Sequence, residues 1–432
     1  MAPERRDTLA SVQPDRLVMP ASNQKLITGA VALARLGADY QWQTTFVRTG
    51  PIVKGVLRGD LVVIGTGDPS VSAAMRGDPL MAFDSLVAAL RANGVVRIAG
   101  RVRSSDLHAF PGSPLGFGWD WDDLDAPYGA GVSELMFNDA FAEVQVRGCG
   151  AARRAACVTT MPAHTTPVIR SQVTTRAAGT GAPDIVWWRD SAATPGIVVR
   201  GSIAMGDSLE FSAAQPDVRL SYLAAVREAL IRGRIQVGDR AINATGADTL
   251  MVLRSAPLRD VLKAMQKPSQ NQIAEVLFRT LGLHDTGVGT PDSARAVVER
   301  QLDAWGVRRD AHAIRDGSGL SRHDYLTPRA IVQVLDTMRR SAVFPHFYGS
   351  LPVAGEDGTL KNRMQRFAER RVRAKTGTID KARALSGFAT TAMGEMIVFS
   401  IIANNFTVPN REVDRIAELI VERLVMMRGA TP

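Results

Sequence analysis

Residues 26–36 read Leu-Ile-Thr-Gly-Ala-Val-Ala-Leu-Ala-Arg-Leu, apolar on nearly every side, and end at Gly37. That pattern predicts a buried helix closed by a left-handed glycine cap. Residues 40–48 and 59–65 read as strands, the second running into the turn Thr66-Gly67-Asp68-Pro69. In 83–93, Phe83, Leu86, Val87 and Leu90 share one side of an amphipathic helix. From 94 to 220 the apolar stretches are short (95–98, 141–146, 184–188, 197–201) and are broken by Gly, Pro and Thr. They predict a largely β region of up to two subdomains. Helical spacing returns at 221–232, 258–265, 271–281, 293–305 and 327–340. Residues 371–375 then read as a strand, 384–391 and 396–403 as a hairpin around Met393-Gly394, and Val413, Ile416, Ile420 and Leu424 line a last helix. The expected fold is α/β (α+β): a discontinuous domain of 1–57 and 223–432, interrupted by a mainly β insertion of 58–222. Residues 5–18 look like the tail of a strand and a turn.

Composition leaves this picture intact. The chain has 432 residues, 45% hydrophobic and 22% charged, which is ordinary for a globular protein and long enough for more than one core. No apolar run reaches the length of a membrane span. The charge of +9 comes overwhelmingly from scattered Arg, with no basic run carrying interleaved aromatics, so no nucleic acid partner is indicated. The two cysteines, Cys149 and Cys157, are spaced for a local disulfide in an exported protein, and equally for two lone thiols. With no His cluster beside them they are not a zinc site, and no metal or cofactor is implied. His-Glu-x-x-His, Gly-x-Ser-x-Gly and Walker patterns are absent from the sequence, so metalloprotease, α/β-hydrolase and NTPase readings lack their signatures. The first residues show neither a signal peptide nor an anchor, which at face value reads as cytoplasmic.

Chemistry enters at Pro20-Ala21-Ser22-Asn23-Gln24-Lys25-Leu26. Residues three apart on a helix share a face, so Ser22 and Lys25 bring a hydroxyl near an amine, at the helix end whose N–H groups are unpaired. Ser-x-x-Lys alone is too short to carry weight. Far downstream come Ser269-Gln270-Asn271 and then Lys375-Thr376-Gly377-Thr378, and each of the three patterns occurs once. Their order is that of the penicillin-recognising serine acyl-transferases.

Together with Asp316-Gly-Ser-Gly-Leu-Ser-Arg322 and Leu351-Pro-Val-Ala-Gly-Glu-Asp-Gly-Thr-Leu360, these motifs make the chain resemble the D-alanyl-D-alanine carboxypeptidase and endopeptidase family, low-molecular-mass penicillin-binding proteins with a large insertion after the serine helix. The resemblance implies a transpeptidase-like core, an antiparallel sheet flanked by helices, shared with serine β-lactamases. It also implies a periplasmic or cell-surface enzyme acting on peptidoglycan stem peptides and acylated by β-lactam antibiotics. Ser22 would be the nucleophile and Lys25 its base, with a pKa depressed by a dry site and by Lys375. Ser269 would relay a proton to the leaving amine, and Asn271 would hold substrate and Lys25. Lys375, Thr376 and Thr378 would bind the terminal carboxylate, and Gly377 would let substrate approach the strand edge. The N–H groups of Ser22 and Thr378 would take the oxyanion. Trp119, Asp122 and Arg322 resemble a pocket for the diaminopimelate side chain, although an aromatic pair that simply packs would look the same. Gln270 departs from the family's usual Asp or Asn.

Such proteins normally have an opening helix and a full first strand ahead of the serine. The expectation here is therefore a truncated or mis-assigned start that lacks the signal, leaving a short edge strand and uncovered apolar surface. Two other readings compete. One is a non-catalytic wall-binding relative whose site is not assembled. The other is a β-lactamase, which would need a deacylating base that the sequence does not display.

Overall fold

The computed structural model describes residues 1–161, 167–190, 196–242, 246–365 and 370–427. They form two compact units, one of Met1–Gln41, Pro111–Trp119 and the chain from Ala256 onward, the other of Trp42–Phe110 and Asp120–Ser255.

The first unit holds all three motifs. Its sheet is antiparallel, with Val372–Ile379, Ala382–Thr390 and Met396–Asn404 in sequential order and register Thr376↔Leu385 and Ala382↔Asn404. Asn410–Met426 lays Ala417, Val421 and Val425 onto Leu385, Ala389 and Phe399 of that sheet, while Ile416, Leu419, Ile420 and Met426 face outward. Gln24–Leu36 is buried from Gln24 through Leu33, as a helix apolar all round must be. Gly29 sits where a Cβ would come within 3.1 Å of Gln266 Nε2 and 3.3 Å of Leu262, so Leu258–Gln266 can pack close. Gly37 has positive φ (81°) but extended ψ (161°), so this helix does not end in the expected left-handed cap. The left-handed cap belongs instead to Gly287 (φ 77°, ψ 0°), which closes Asn271–Thr286. Pro291–Ala304 and Pro328–Arg339 start at Thr290 and Thr327, whose side chains accept from Ser293 N and Ala330 N. Residues 5–18 contain turns rather than a strand tail. Met1 exchanges backbone hydrogen bonds with Val398 at the outer edge of the sheet, and Val18 bridges Leu326.

In the second unit, Gln43–Arg48 pairs with Leu61–Gly65 on one side and with Asp248–Arg254 on the other. These pairings draw 42–57 and 223–255 into this unit, whose limits fall at 42 and 255 where the sequence suggested 58 and 222. Asp84–Ala92 and Val218–Arg232 cover a core of Phe46, Val63, Phe83, Leu90, Phe137, Tyr222 and Leu230. Two three-stranded sheets, Asp184–Asp190, Gly196–Ala204 and Val168–Arg176, and Ser208–Ala214, Phe141–Arg147 and Cys157–Met161, build a second core around Val144, Val173, Ile197 and Phe211. Cys149 and Cys157 are joined, which settles the choice between a disulfide and two thiols. Among the described residues, no helix is long and apolar enough to cross a membrane.

Candidate active site

Ser22 lies in a short 3-10 turn, Ala21–Asn23, that runs straight into Gln24–Leu36. The residue before it, Ala21, is fully buried with φ 47°, a region costly for a side chain bearing a Cβ and one that clusters at functional sites. Two glycines allow the surroundings to close on this kink. A Cβ on Gly319 would lie 1.9 Å from Ala21 O, and one on Gly377 would lie 2.7 Å from Pro20 O. Ser269 likewise has φ 68°. Both serines are half-buried.

Lys25 follows one helical turn after Ser22 and is fully buried. Its Nζ donates to Ser22 Oγ at 2.8 Å, Asn271 Oδ1 at 2.6 Å and Ser318 O at 2.8 Å. Burial lowers its pKa to about 7, against the upward pull of Asp316 and Glu275. The second cation, Lys375, is itself pushed well below its usual value by burial first and by Lys25 second. Lys375 Nζ donates to Ser269 Oγ at 2.7 Å and to Thr376 O at 2.9 Å. Asn23 Nδ2 donates to Lys375 O at 3.0 Å, fastening the serine turn to the Lys-Thr-Gly strand.

Beneath these amines, Asp316 organises the turn that follows it. Its Oδ1 accepts from Ser318 N (3.1 Å) and Gly319 N (2.7 Å), and its Oδ2 accepts from Ser321 N (2.7 Å) and Trp119 Nε1 (2.9 Å). Glu275, one turn along the helix from Asn271, accepts from Gly317 N and Ser318 N. Burial, with Asp316 nearby, raises Glu275 to about 8 and pushes Asp324 well above the usual carboxylate range. Sequence reasoning quoted Asp316-Gly-Ser-Gly-Leu-Ser only for resemblance and missed Glu275 altogether. The signal was there: Asn271 and Glu275 are four apart and share a helix face.

On the strand, Ala374 N donates to Pro352 O at 3.1 Å, away from Ala382–Thr390. Backbone groups alternate along a strand, so the N–H groups of Thr376 and Thr378 point to that same outer edge. Thr378 is exposed, and Thr376 Oγ1 donates to Thr359 Oγ1 at 2.8 Å. Thr359 was not anticipated from sequence.

Ser22, Lys25, Ser269, Asn271, Lys375, Thr376, Gly377 and Thr378 all lie in the first unit, and the bonds above join Ser22, Lys25 and Asn271 in one cluster and Ser269, Lys375 and Thr376 in another tied to it through Asn23. Trp119 and Arg322 are in the same unit; the Trp119 indole is engaged by Asp316, while Arg322 N bonds Gly118 O at 3.4 Å and its guanidinium lies 3.8 Å from Asp380. Asp122 belongs to the other unit, in the turn Trp121–Asp123, and is exposed.

Residues 4–424 match the D-Ala-D-Ala carboxypeptidase 3 (S13) family. A D-alanyl-D-alanine carboxypeptidase from Actinomadura sp. (strain R39) is 32% identical, over 91% of this chain and 74% of the relative. The D-alanyl-D-alanine carboxypeptidase DacB of Haemophilus influenzae is 26% identical over 94% of this chain and 84% of its own length. In fold, penicillin binding protein 4 from Haemophilus influenzae superposes with a TM-score of 0.83 at 24% identity, covering 99% of this chain and 95% of that one. The match along nearly the whole length makes this chain a member of the D-Ala-D-Ala carboxypeptidase 3 (S13) family of serine-type carboxypeptidases.

Proposed function

We propose that this chain removes the terminal D-Ala of peptidoglycan stem peptides through an acyl-enzyme on Ser22, and that the same site opens D-Ala cross-links and is acylated by β-lactams. The observation that carries the proposal is the 2.8 Å contact between Ser22 Oγ and the Nζ of a buried lysine whose pKa is brought to about 7. An amine poised there is a general base at neutral pH.

Neutral Lys25 accepts the Ser22 proton as Oγ attacks the carbonyl of the penultimate D-Ala, and the oxyanion is held by the N–H groups of Ser22 and Thr378. The C–N bond then breaks. The proton held on Lys25 passes through Ser269, which Lys375 Nζ contacts at 2.7 Å, to the leaving amine, and D-Ala departs. Water then gives a proton to Lys25 as it adds to the ester, the C–Oγ bond breaks, Oγ takes that proton back, and the shortened stem peptide leaves as its carboxylic acid. Thr376, Thr378 and Lys375 bind the substrate carboxylate; that anion sets a negative charge beside the buried ammonium, so binding favours protonation of Lys375. Gly377 keeps the strand edge open, and Asn271 holds Lys25. A cross-link differs only in the amine that leaves. A β-lactam acylates Ser22 likewise, but its opened ring stays tethered and deacylation is slow. Trp119 and Arg322, both of the first unit, are proposed to meet the diaminopimelate side chain.

The proposed setting is the periplasm or cell surface, which the Cys149–Cys157 disulfide supports, since such bonds persist in oxidising compartments. The test is D-Ala release from a stem pentapeptide by wild type and by Ser22→Ala. Release that vanishes in the variant supports the proposal; release that persists refutes it.

A further inference from the structure

We propose that Glu275 is a positioning residue for the reaction, aiming the Lys25 lone pair at Ser22 by locking the Ser318 carbonyl to the helix that carries Asn271. The inference rests on the reading of Lys25 as base and names a residue to which no role has been given.

A neutral lysine amine has two N–H bonds and one lone pair. Of the three oxygens around Lys25 Nζ, the Ser318 carbonyl and Asn271 Oδ1 can only accept, whereas Ser22 Oγ carries a hydrogen that it can give. The two acceptors therefore take the two N–H groups, and the lone pair is left facing the Ser22 hydroxyl. Aim depends on both acceptors staying in one frame. Asn271 sits at the start of the rigid, buried helix Asn271–Thr286. Ser318 sits on a loop, and Glu275 joins that loop to the same helix: its carboxyl, 4% exposed, takes Ser318 N at 2.8 Å and Gly317 N at 3.1 and 3.2 Å. Packing reinforces the join, since a Cβ on Gly317 would lie 2.5 Å from Ala274 O. From the serine helix, Thr28 Oγ1 donates to Gly317 O at 2.7 Å. The charged and titratable groups around Glu275 and Lys25 are Asp316 of the loop, Arg279 on the same helix as Glu275, Lys375, whose value Lys25 lowers, and Asp324, which Asp316 and Glu275 both raise.

Glu275→Ala removes the acceptor of two buried backbone N–H groups and frees the loop. Misplacement of a reacting group by about 1 Å can cost about a hundredfold, so kcat for D-Ala release should fall at least about tenfold with KM within about twofold of wild type. Glu275→Gln keeps one oxygen for Ser318 N but sets a carboxamide NH2 against Gly317 N in place of Oε2, and its kcat should fall less, by about threefold. If the alanine variant does not fold, the glutamine variant decides. Wild-type kcat in either folded variant overturns the proposal, because a purely structural role would lower Tm alone. A second readout is independent of the reaction: NMR titration of the ε-carbon of Lys25. Losing the Glu275 charge alone would lower the Lys25 midpoint, so a rise above about 7 in Glu275→Ala reports water reaching the amine past a freed loop, and a rise is expected because burial is the largest cause of the depression. An unchanged or lowered midpoint also overturns the proposal. If wild type releases no D-Ala, the assigned reaction fails while the titration still decides the role of Glu275.

Discussion

If Lys25 is the base, acidification should switch the enzyme off around neutral pH rather than in the carboxylate range. Its amine is brought from 10.5 to about 7 chiefly by burial, and only the deprotonated form has a lone pair for the Ser22 proton. The base form is therefore present above pH 7 and lost below it. For a single group at that value, about a tenth of the molecules carry free amine at pH 6 and about one in a hundred at pH 5, so the acylation rate constant should fall about tenfold per pH unit. Glu275, raised to about 8, ionises within the same range, and as an anion it lifts Lys25; the observed limb belongs to the pair and is broadened on its alkaline side. The assay is stopped-flow acylation by a chromogenic β-lactam between pH 5 and 9, with circular dichroism confirming that the protein stays folded and intact mass counting the acylated fraction. Activity that holds level down to pH 5 would refute Lys25 as the base. So would a limb centred near 10, which would mean that the amine is hydrated.

Gly319→Ala should destabilise the protein by about 3 kcal/mol, because φ is 81° and the new Cβ would lie 1.9 Å from Ala21 O; wild-type Tm and acylation rate in this variant would contradict the packing around the serine turn. Ser269→Ala leaves Lys375 Nζ with only Thr376 O of its two described acceptors, and kcat should drop by about 10²–10⁴ while the Ser22–Lys25 pair stays intact; a loss below tenfold would remove Ser269 from proton transfer. Replacing both Cys149 and Cys157 by Ser opens a loop whose ends are 8 residues apart, and should cost about 2.5 kcal/mol in urea denaturation without changing the acylation of Ser22. Equal stability of the two forms would show that the closure contributes nothing.

Local periodicity made the helices legible. The run after Lys25 and the apolar spacing after Asn271 each demand a buried helix, and both are there. Strand partners were less visible, because pairing is a long-range choice. Gln43–Arg48 takes Asp248–Arg254 as a neighbour some two hundred residues away, and nothing in either stretch announces the other. With Gln43–Arg48 paired to Leu61–Gly65 as well, that pairing carries the far limit of the unit from 222 to 255. At the site, spacing alone places Lys25 beside Ser22, and the motif order brings in Asn271 and Lys375. What spacing cannot display is the tertiary environment. Sequence attributed the low pKa of Lys25 partly to a second cation, whereas burial dominates and two acids oppose it. Glu275 reads in sequence as an ordinary helix residue, and its role emerges only once a loop some forty residues on brings its amides to the carboxyl. Trp119, singled out for a substrate pocket, also gives its indole N–H to Asp316, an anchor that spacing cannot display.

The central claim is that Ser22 is a nucleophile activated by Lys25 in an assembled site. Labelling with a fluorescent penicillin, run on wild type and Ser22→Ala and followed by intact mass and peptide mapping, tests it most directly. A stable adduct on the peptide carrying Ser22, absent from the variant, is the predicted result. An adduct elsewhere, or none on folded wild-type protein, would contradict it.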